Sequence, residues 1–195
     1  MEKPADTTFD IHPVIKRRWS PRSFQSTPIK KETVQRLLEA ARWAPSSFNE
    51  QPWRFMVGFK GDDTWQKIYE TMVEFNQHWA GNAPVLIMAI GNKISSKGKT
   101  NAVYQYDVGQ SMAYLTFQAT EEGLATHQMG GFSKEKAIEL FGIPEDHKPI
   151  ALMAIGHQDK PEALGPDFEE MEKSPRVRKP LDDLVFAGKF GEPLT

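Results

Sequence analysis

The chain has 195 residues, of which 39% are hydrophobic and 26% charged, a composition typical of one globular domain rather than of a disordered or fibrous protein. Lysine and arginine total 24 against 26 aspartate and glutamate residues, so the chain lacks the strong positive charge of a general nucleic-acid-binding protein. It contains no cysteine, which excludes disulfides, thiolate metal sites, iron–sulfur clusters and a cysteine nucleophile.

The start of the chain has no apolar segment of the kind that forms a secretory signal, because residues 1–10 are mixed and polar. The most apolar run, residues 83–91, is far shorter than the ~20 residues that a membrane span needs. We therefore expect a soluble cytoplasmic protein with neither a membrane nor a nucleic acid as partner.

Helices are predicted where apolar residues recur at i, i+3, i+4 and i+7. In the first of these segments Val34, Leu37, Leu38 and Ala41 share one face, and Pro45 ends the helix. This spacing and the glycines that end the segments predict helices over residues 29–43, 62–79, 103–122 and 133–140.

Three segments are predicted to be strands. Residues 53–59 alternate apolar with smaller or polar side chains. Residues 84–90 and 150–155 are continuously apolar and each run ends at a glycine, which is the pattern of strands buried on both faces. Residues 92–100 are predicted to be a polar, mobile loop.

After His157 the composition changes to a charged segment with prolines at 161, 166, 175, 180 and 193 and with little periodicity. Ordering a segment of this length by itself is unfavourable, because each ordered residue loses conformational entropy. We therefore divide the chain into a core over residues 1–160 and a C-terminal arm over residues 161–195, which wraps around the domain or a partner subunit.

Residues 17–24, Arg-Arg-Trp-Ser-Pro-Arg-Ser-Phe, concentrate guanidinium groups and hydroxyls around a proline. Arginine binds the oxygens of a phosphate in bidentate fashion, and serine adds a further hydrogen bond. The segment therefore suits a phosphomonoester, although a solvated run of surface charge is an equally good explanation from composition alone.

The segment between the first helix and the first strand holds amide and hydroxyl side chains between two prolines. Amide side chains can pair with the donor and acceptor edge of a planar heterocycle, and the prolines restrict the backbone that carries them. A plain turn is the alternative, but a plain turn does not need so many polar groups. The residues concerned are Pro45, Ser46, Ser47, Asn49 and Gln51.

Two apparent catalytic motifs are rejected. Residues 91–100 end like a phosphate-binding loop, but Lys93 stands where that pattern needs glycine. Ser111 resembles the serine of a nucleophile elbow but lies within helical periodicity. The five histidines have no metal-ligand spacing, so neither a catalytic residue nor a metal site is predicted. His127 is singled out only because it precedes the turn at residues 130–131.

Together these segments closely resemble the FMN-dependent nitroreductase family. Its arginine–serine phosphate motif is matched by Arg18, Ser20 and Arg22, and its Pro-Ser-x-x-Asn-x-Gln-Pro-Trp loop by residues 45–53. Further matches are Asn76, Ala83-Pro84-Val85, Asp107, Gly123, Gly130-Gly131-Phe132 and residues 176–181. The resemblance spans residues 11–186 and depends on the order and spacing of these motifs together.

The resemblance implies an α+β fold with a mixed sheet between helices. It also implies a homodimer in which the C-terminal arm, residues 161–195, is exchanged and packs on the partner subunit. In that family FMN lies at the dimer interface, so each site would draw on both chains.

The resemblance further implies an enzyme that passes a hydride from NAD(P)H through FMN to a nitroaromatic, a quinone or a similar small-molecule acceptor by a ping-pong mechanism. FMN supplies the chemistry, so no general acid is needed. The implied cofactor-binding residues are Arg18, Trp19, Ser20, Arg22, Pro45, Ser46, Ser47, Asn49, Gln51, Asn76, Gly130, Gly131, Arg176 and Arg178. Gly130 stands where many members of the family have an acidic residue.

Two alternatives stay open. Relatives on the same scaffold dehalogenate substrates, fragment flavin or oxidise azolines, and a shared fold does not fix function. The chain could also be a flavin-binding or flavin-storage protein without nicotinamide-dependent activity.

Overall fold

The structure is a computed structural model that describes residues 1–194, in which four strands form one sheet between two layers of helices. The helices are α1 Pro13–Arg17, α2 Lys31–Arg42, α3 Asp63–Thr71, α4 Glu74–Ala80, α5 Tyr104–Glu121, α6 Lys134–Phe141 and α7 Pro166–Lys173. The strands are β1 Trp53–Phe59, β2 Val85–Asn92, β3 Ala125–Met129 and β4 His147–Gly156. Within this described range, no helix has both the length and the apolar character that crossing a membrane requires.

The sheet has the strand order β1-β2-β4-β3, and each pair of neighbours is antiparallel. Trp53 lies opposite Gly91, and Val85 lies opposite Ile155. The α+β class is confirmed, but the mixed sheet is wrong for residues 1–194. Helix α5 joins β2 to β3, which run parallel to each other. Strand β4 lies between those two strands and is antiparallel to both, so no two parallel strands pair in this range.

Strand β2 has buried side chains on both faces, as its continuous apolar run predicts. Val85 and Ile87 pack with the layer formed by α2 and α5, whereas Leu86 and Met88 pack with α3, α4 and α6. Successive side chains of a strand point to opposite faces, so an apolar strand of this kind needs a helical layer on each side.

Most of the predicted elements are confirmed. The predicted helices over 29–43, 103–122 and 133–140 correspond to α2, α5 and α6, and the strands over 53–59, 84–90 and 150–155 correspond to β1, β2 and β4. Ser111 is a helix residue as predicted, and its hydroxyl donates to the Ala41 carbonyl at 3.0 Å between α5 and α2.

The single helix predicted over residues 62–79 is wrong, because the chain breaks between α3 and α4. At this point Met72 forms an isolated bridge with Phe132, and the Val73 N–H donates to the Gly131 carbonyl at 3.1 Å. The backbone of Met72 and Val73 is extended. Contact with a distant segment therefore overrides the helical periodicity. Strand β3 was not predicted, because its five residues at a sheet edge carry little apolar alternation.

The first part of the predicted arm packs on its own chain. Phe168 of α7 lies 5.2 Å from the Phe75 ring and 5.8 Å from the His78 ring, measured between centroids, and it contacts the core on the α3 and α4 side. Beyond α7, large apolar side chains such as Leu181 and Phe190 are exposed. Packing of this outer part on a partner subunit stays a prediction.

Substitution of Gly58 by alanine should destabilise the fold. A Cβ atom at this β1 position would lie 2.3 Å from the backbone nitrogen and Cα of Trp65, so α3 would have to move away from the sheet. We expect the free energy of unfolding in urea to fall by about 1–3 kcal/mol. Gly109→Ala in α5 is the control, because its Cβ would meet nothing else in the described chain within 4 Å. Equal stability of the two variants would contradict the prediction.

Candidate functional site

Three arginines from opposite ends of the chain converge beside β3. Burial, and then the positive charges of Arg176 and Arg178, lower the pKa of the Arg18 guanidinium. Burial and the charge of Arg178 likewise lower the pKa of Arg176. Within residues 1–194 none of the three forms an ion pair with a carboxylate. We call these residues the arginine cluster, and clustered guanidiniums without a counter-charge suit an anion such as phosphate.

Ser20 belongs to the same place, because the Arg18 Nη1 donates to the Ser20 Oγ at 3.1 Å. Both residues line a cavity of about 270 Å³ between α5 and β3, where Thr116 and Gln128 add polar side chains. Trp19 lies under the ammonium of Lys3, which is 4.7 Å from its ring centroid. Of the predicted phosphate motif, Arg18 and Ser20 are therefore brought together at one edge of the sheet.

The backbone of Arg22 is hydrogen-bonded to a buried carboxylate that was not predicted. Glu172 of α7 is fully buried, and its carboxylate accepts hydrogen bonds from the backbone N–H of Arg22 at 2.9 and 3.0 Å and of Ser23 at 3.2 Å. The Lys3 ammonium donates to the Glu172 carbonyl. A buried charge is tolerated only when hydrogen bonds replace its hydration, and these bonds do so. The signal in the sequence was the spacing of Glu172 four residues after Phe168, on the inward face of α7.

The side chain of Arg22 still lacks an acceptor, since its buried Nε has no hydrogen-bond partner in the part of the chain that the structure describes. Unpartnered buried donors are rare in folded proteins, and each calls for an explanation. An anion bound at this nitrogen would supply the missing acceptor.

His127 supports this segment from β3. Its Nδ1 lies 3.0 Å from the Pro21 carbonyl oxygen, and because a carbonyl only accepts, Nδ1 carries the hydrogen and donates. Burial lowers the pKa of His127 to about 4. The hydrogen bond to Pro21 acts in the opposite direction, and the positive charges of Arg22 and Arg18 lower the pKa further. The Trp79 ring centroid lies 4.4 Å from the imidazole. His127 is therefore a neutral donor at pH 7 that orients the backbone between the arginines.

The loop that carries the predicted amide groups has an unusual backbone. Phe48, Asn49 and Gln51 have φ values of 51°, 57° and 46°, a left-handed region that residues other than glycine rarely adopt. Hydrogen bonds stabilise it, because the Gln51 N–H donates to the Ser46 Oγ at 3.0 Å and the Ser47 N–H to the Asp107 carboxylate at 3.2 Å. The backbone that carries the polar side chains of this loop is thus held in place.

Asn76 and Gly131 contact each other at the end of β3. The Asn76 Nδ2 donates to the Gly131 carbonyl at 2.9 Å, and a Cβ at Gly131 would lie 2.8 Å from that nitrogen, so a side chain there would displace the Asn76 amide. Gly130, by contrast, is surrounded by open space. Among residues 1–194 the backbone N–H groups of Gly130 and Gly131 find no acceptor, which leaves both available to a ligand.

The loop at residues 46–51 does not meet the arginine cluster within one chain. Ser47 contacts α5 at Asp107, whereas the cavity of Arg18 touches α5 at Thr116, and nine residues of helix correspond to about 14 Å. The loop precedes β1 and the cluster flanks β3, which are the two edges of the sheet. The predicted site residues therefore form separate groups, on opposite edges.

Comparison with known proteins shows relatives of this chain in sequence and in fold. A family model described as Nitroreductase family matches residues 15–78 and 59–157. The crystal structure of an oxidoreductase containing FMN is 38% identical, with a TM-score of 0.91 and 96% of each chain covered. A nitroreductase family protein from Clostridium difficile 630 is 26% identical, with a TM-score of 0.72 and coverage of 91% of this chain and 97% of its own. The major NAD(P)H-flavin oxidoreductase of Aliivibrio fischeri is 31% identical over 156 residues, which are 75% of this chain and 66% of its own.

Glu172→Gln should release α7 from the segment at residues 22–23. A neutral amide offers one acceptor where the carboxylate offers two, and hydrogen bonds to charged groups contribute about 1.5–3 kcal/mol. We expect a loss of that size in the free energy of unfolding, and faster tryptic cleavage after Lys173 and Arg176. Glu170→Gln is the control, because it makes the same charge change on an exposed position of the same helix. Cleavage at the rate of the wild-type protein would contradict the role of Glu172.

His127 should make stability depend on pH between 7 and 4. The folded-state pKa of about 4 lies below the ordinary value of 6.5, so the unfolded chain binds more protons, and stability falls as pH falls through this window. At pH 5 the loss amounts to about 1–2 kcal/mol. His127→Asn keeps a donor but does not titrate, so the difference between its unfolding curve and that of wild type should shrink as the pH is lowered from 7 to 5. A constant difference would contradict the assignment.

Proposed function

This chain belongs to the nitroreductase family, and on that premise we propose that it is an FMN-dependent oxidoreductase. The proposed reaction transfers a hydride from NAD(P)H to a nitroaromatic, a quinone or a similar acceptor. The observation that carries the proposal is the arginine cluster, Arg18, Arg176 and Arg178, which gathers positive charge without a protein counter-charge.

The residues present fit the phosphate of FMN. A terminal phosphate would take the guanidiniums of the arginine cluster, the Ser20 hydroxyl and the unpartnered Nε of Arg22 as donors. The chain has no Gly-x-Gly-x-x-Gly turn of the kind that binds the pyrophosphate of a dinucleotide, which favours FMN over FAD. The FMN of the 38%-identical oxidoreductase supports the same choice.

A homodimer would complete the site. Within one chain the loop at residues 46–51 precedes β1 and the arginine cluster flanks β3, so the two groups lie at opposite edges of the sheet. Near this loop Phe48 is 94% exposed, Trp43 71% and Tyr106 70%. Exposed aromatic side chains of this kind are typical of interfaces. We infer that each subunit contributes its loop to the arginine cluster of the other.

When bound, FMN supplies the redox chemistry, accepting a hydride from NAD(P)H and giving it to the acceptor. The protein residues would bind FMN and orient its ring. Asn76 fixes the Gly130–Gly131 turn through the Gly131 carbonyl, and this leaves both glycine N–H groups free to donate to the edge of the ring. The amide side chains of Asn49 and Gln51 would contact the ring from the partner's loop. Donor and acceptor would use one place in turn, so parallel double-reciprocal lines are expected.

Complementation between two defective variants tests the shared site. Arg18→Glu should weaken FMN binding by about 10–100-fold, since it removes a charge-assisted contact and adds a repulsive charge. Asn49→Gly/Gln51→Gly removes the amide side chains but keeps a backbone that tolerates positive φ. Each homodimer should lose FMN. Heterodimers isolated through two different affinity tags should bind about half the wild-type amount, because one of their two sites contains neither change.

A flavin-free heterodimer would show that the site lies within one chain, and single variants that keep FMN would remove these residues from it. Anaerobic addition of NADPH or NADH to the yellow wild-type protein tests the activity itself. Bleaching supports an oxidoreductase, whereas a flavin that neither nucleotide bleaches would indicate a carrier.

A further inference from the structure

A second positively charged cavity lies beside the loop at residues 46–51 and takes no part in holding the phosphate of FMN. Its volume is about 340 Å³, within the range of small-molecule sites. Its polar lining combines Ser47 and Glu50 of the loop with Ser95, Lys97, Lys99, Thr100 and Asn101 of the following segment. We call it the lysine cavity.

The two lysines are presented by an ordered turn. The Ser95 N–H donates to the Lys99 carbonyl at 2.7 Å, and Gly98 adopts a φ of 70°, which closes the turn between Lys97 and Lys99. Glu50 ties this turn to the loop, because its carboxylate accepts from the Ser96 N–H at 2.7 Å and the Ser96 hydroxyl at 2.8 Å. The segment predicted as a mobile loop therefore contains a structured turn, and its end resembles a phosphate-binding loop only in sequence.

The charges and donors of the lysine cavity are not used by the described part of the chain. Neither Lys97 nor Lys99 forms an ion pair in residues 1–194, and the one carboxylate nearby, Glu50, is engaged by Ser96. Asn101 is only 8% exposed, and its Oδ1 accepts from the Val103 N–H at 3.1 Å. Its buried Nδ2 has no acceptor anywhere in that range.

An unmatched buried donor beside two free ammonium groups calls for a ligand that is both anionic and rich in acceptors. A phosphomonoester dianion meets both requirements, because two positive charges balance its charge and its oxygens accept from the lysines, the amide and nearby hydroxyls. The adenosine ribose of NADH carries neutral hydroxyls at its 2′ and 3′ positions. The adenosine ribose of NADPH carries a dianionic phosphate at the 2′ position.

We propose that the lysine cavity binds the 2′-phosphate of NADPH and makes this protein select NADPH over NADH. The inference rests on the proposed function, since the cavity borders the loop whose amide groups are proposed to contact the flavin ring. The nicotinamide would then reach the ring while the adenosine phosphate lies in the lysine cavity.

The test measures the dissociation constants of NADP⁺ and NAD⁺ by titration calorimetry on flavin-loaded protein, which avoids turnover. For Lys97→Ala/Lys99→Ala we expect the Kd of NADP⁺ to rise about 10–100-fold, since each charge-assisted contact contributes of the order of tenfold. The Kd of NAD⁺ should change less than about threefold, because its neutral hydroxyl loses no charged partner. Added salt should weaken NADP⁺ binding to the wild type and have little effect on the variant.

Two further variants sharpen the result. Asn101→Asp keeps the oxygen that accepts from Val103 but places a carboxylate beside the phosphate, so it should also weaken NADP⁺ selectively. Lys30→Ala/Lys31→Ala removes the same amount of charge at the exposed start of α2 and should leave both constants unchanged. If the binding of NAD⁺ and NADP⁺ were weakened equally, the lysines would contact the pyrophosphate that both nucleotides share. If neither dissociation constant changed, the cavity would not bind the nucleotide. Either result overturns the inference.

The inference and the proposed function can fail separately. If the protein carried no flavin, the proposed function would be wrong, but binding of adenosine 2′-phosphate against adenosine would still test the lysine cavity. If the protein were yellow and NADH and NADPH bleached it equally well in wild type and in the lysine variant, the proposed function would stand and the inference would fall.

Discussion

The contact of the buried Glu172 carboxylate with the backbone of Arg22 and Ser23 determines where the candidate site is built. It joins positions 150 residues apart and brings α7 against the segment that follows α1. Arg176 and Arg178 follow Glu172 by four and six residues, so their approach to Arg18 depends on this contact. Bringing guanidiniums together without a counter-charge is unfavourable, and the anchoring of α7 by Glu172 holds them together against that repulsion.

The net charge of the chain is only −2, and its positive charge is concentrated in local clusters. The arginine cluster lies beside β3, and the lysine cavity lies beside the loop before β1, at the other edge of the sheet. The lysine cavity also contains a buried nitrogen that lacks an acceptor in the described residues, Asn101 Nδ2. Separate anion sites on opposite edges are the arrangement expected if two subunits build each site and if one site holds FMN while the other binds a phosphorylated reductant.

In the loop at residues 46–51 and in the Asn76–Gly131 contact, hydrogen bonds between side chains and backbone fix the conformation of the chain. The left-handed backbone at Phe48, Asn49 and Gln51 costs free energy, which the hydrogen bonds accepted by the Ser46 hydroxyl and the Asp107 carboxylate offset. At Gly131 a side chain would displace the amide of Asn76, so the glycine allows this contact.

Elements whose stability is local, or depends on one repeating pattern, were predictable from the sequence. The apolar run of β2 required a helical layer on each face, and the spacing in α2 and α5 defined the faces they bury. The order of the arginine, amide and glycine motifs also identified the family. Only the tertiary structure decided that Met72 and Val73 pair with the turn at Gly131 and break a helix, because that backbone pairing is a contact between distant segments. It likewise revealed Glu172 and the neutral His127, since burial and its effect on a charge depend on what packs around a side chain, and no local pattern encodes that.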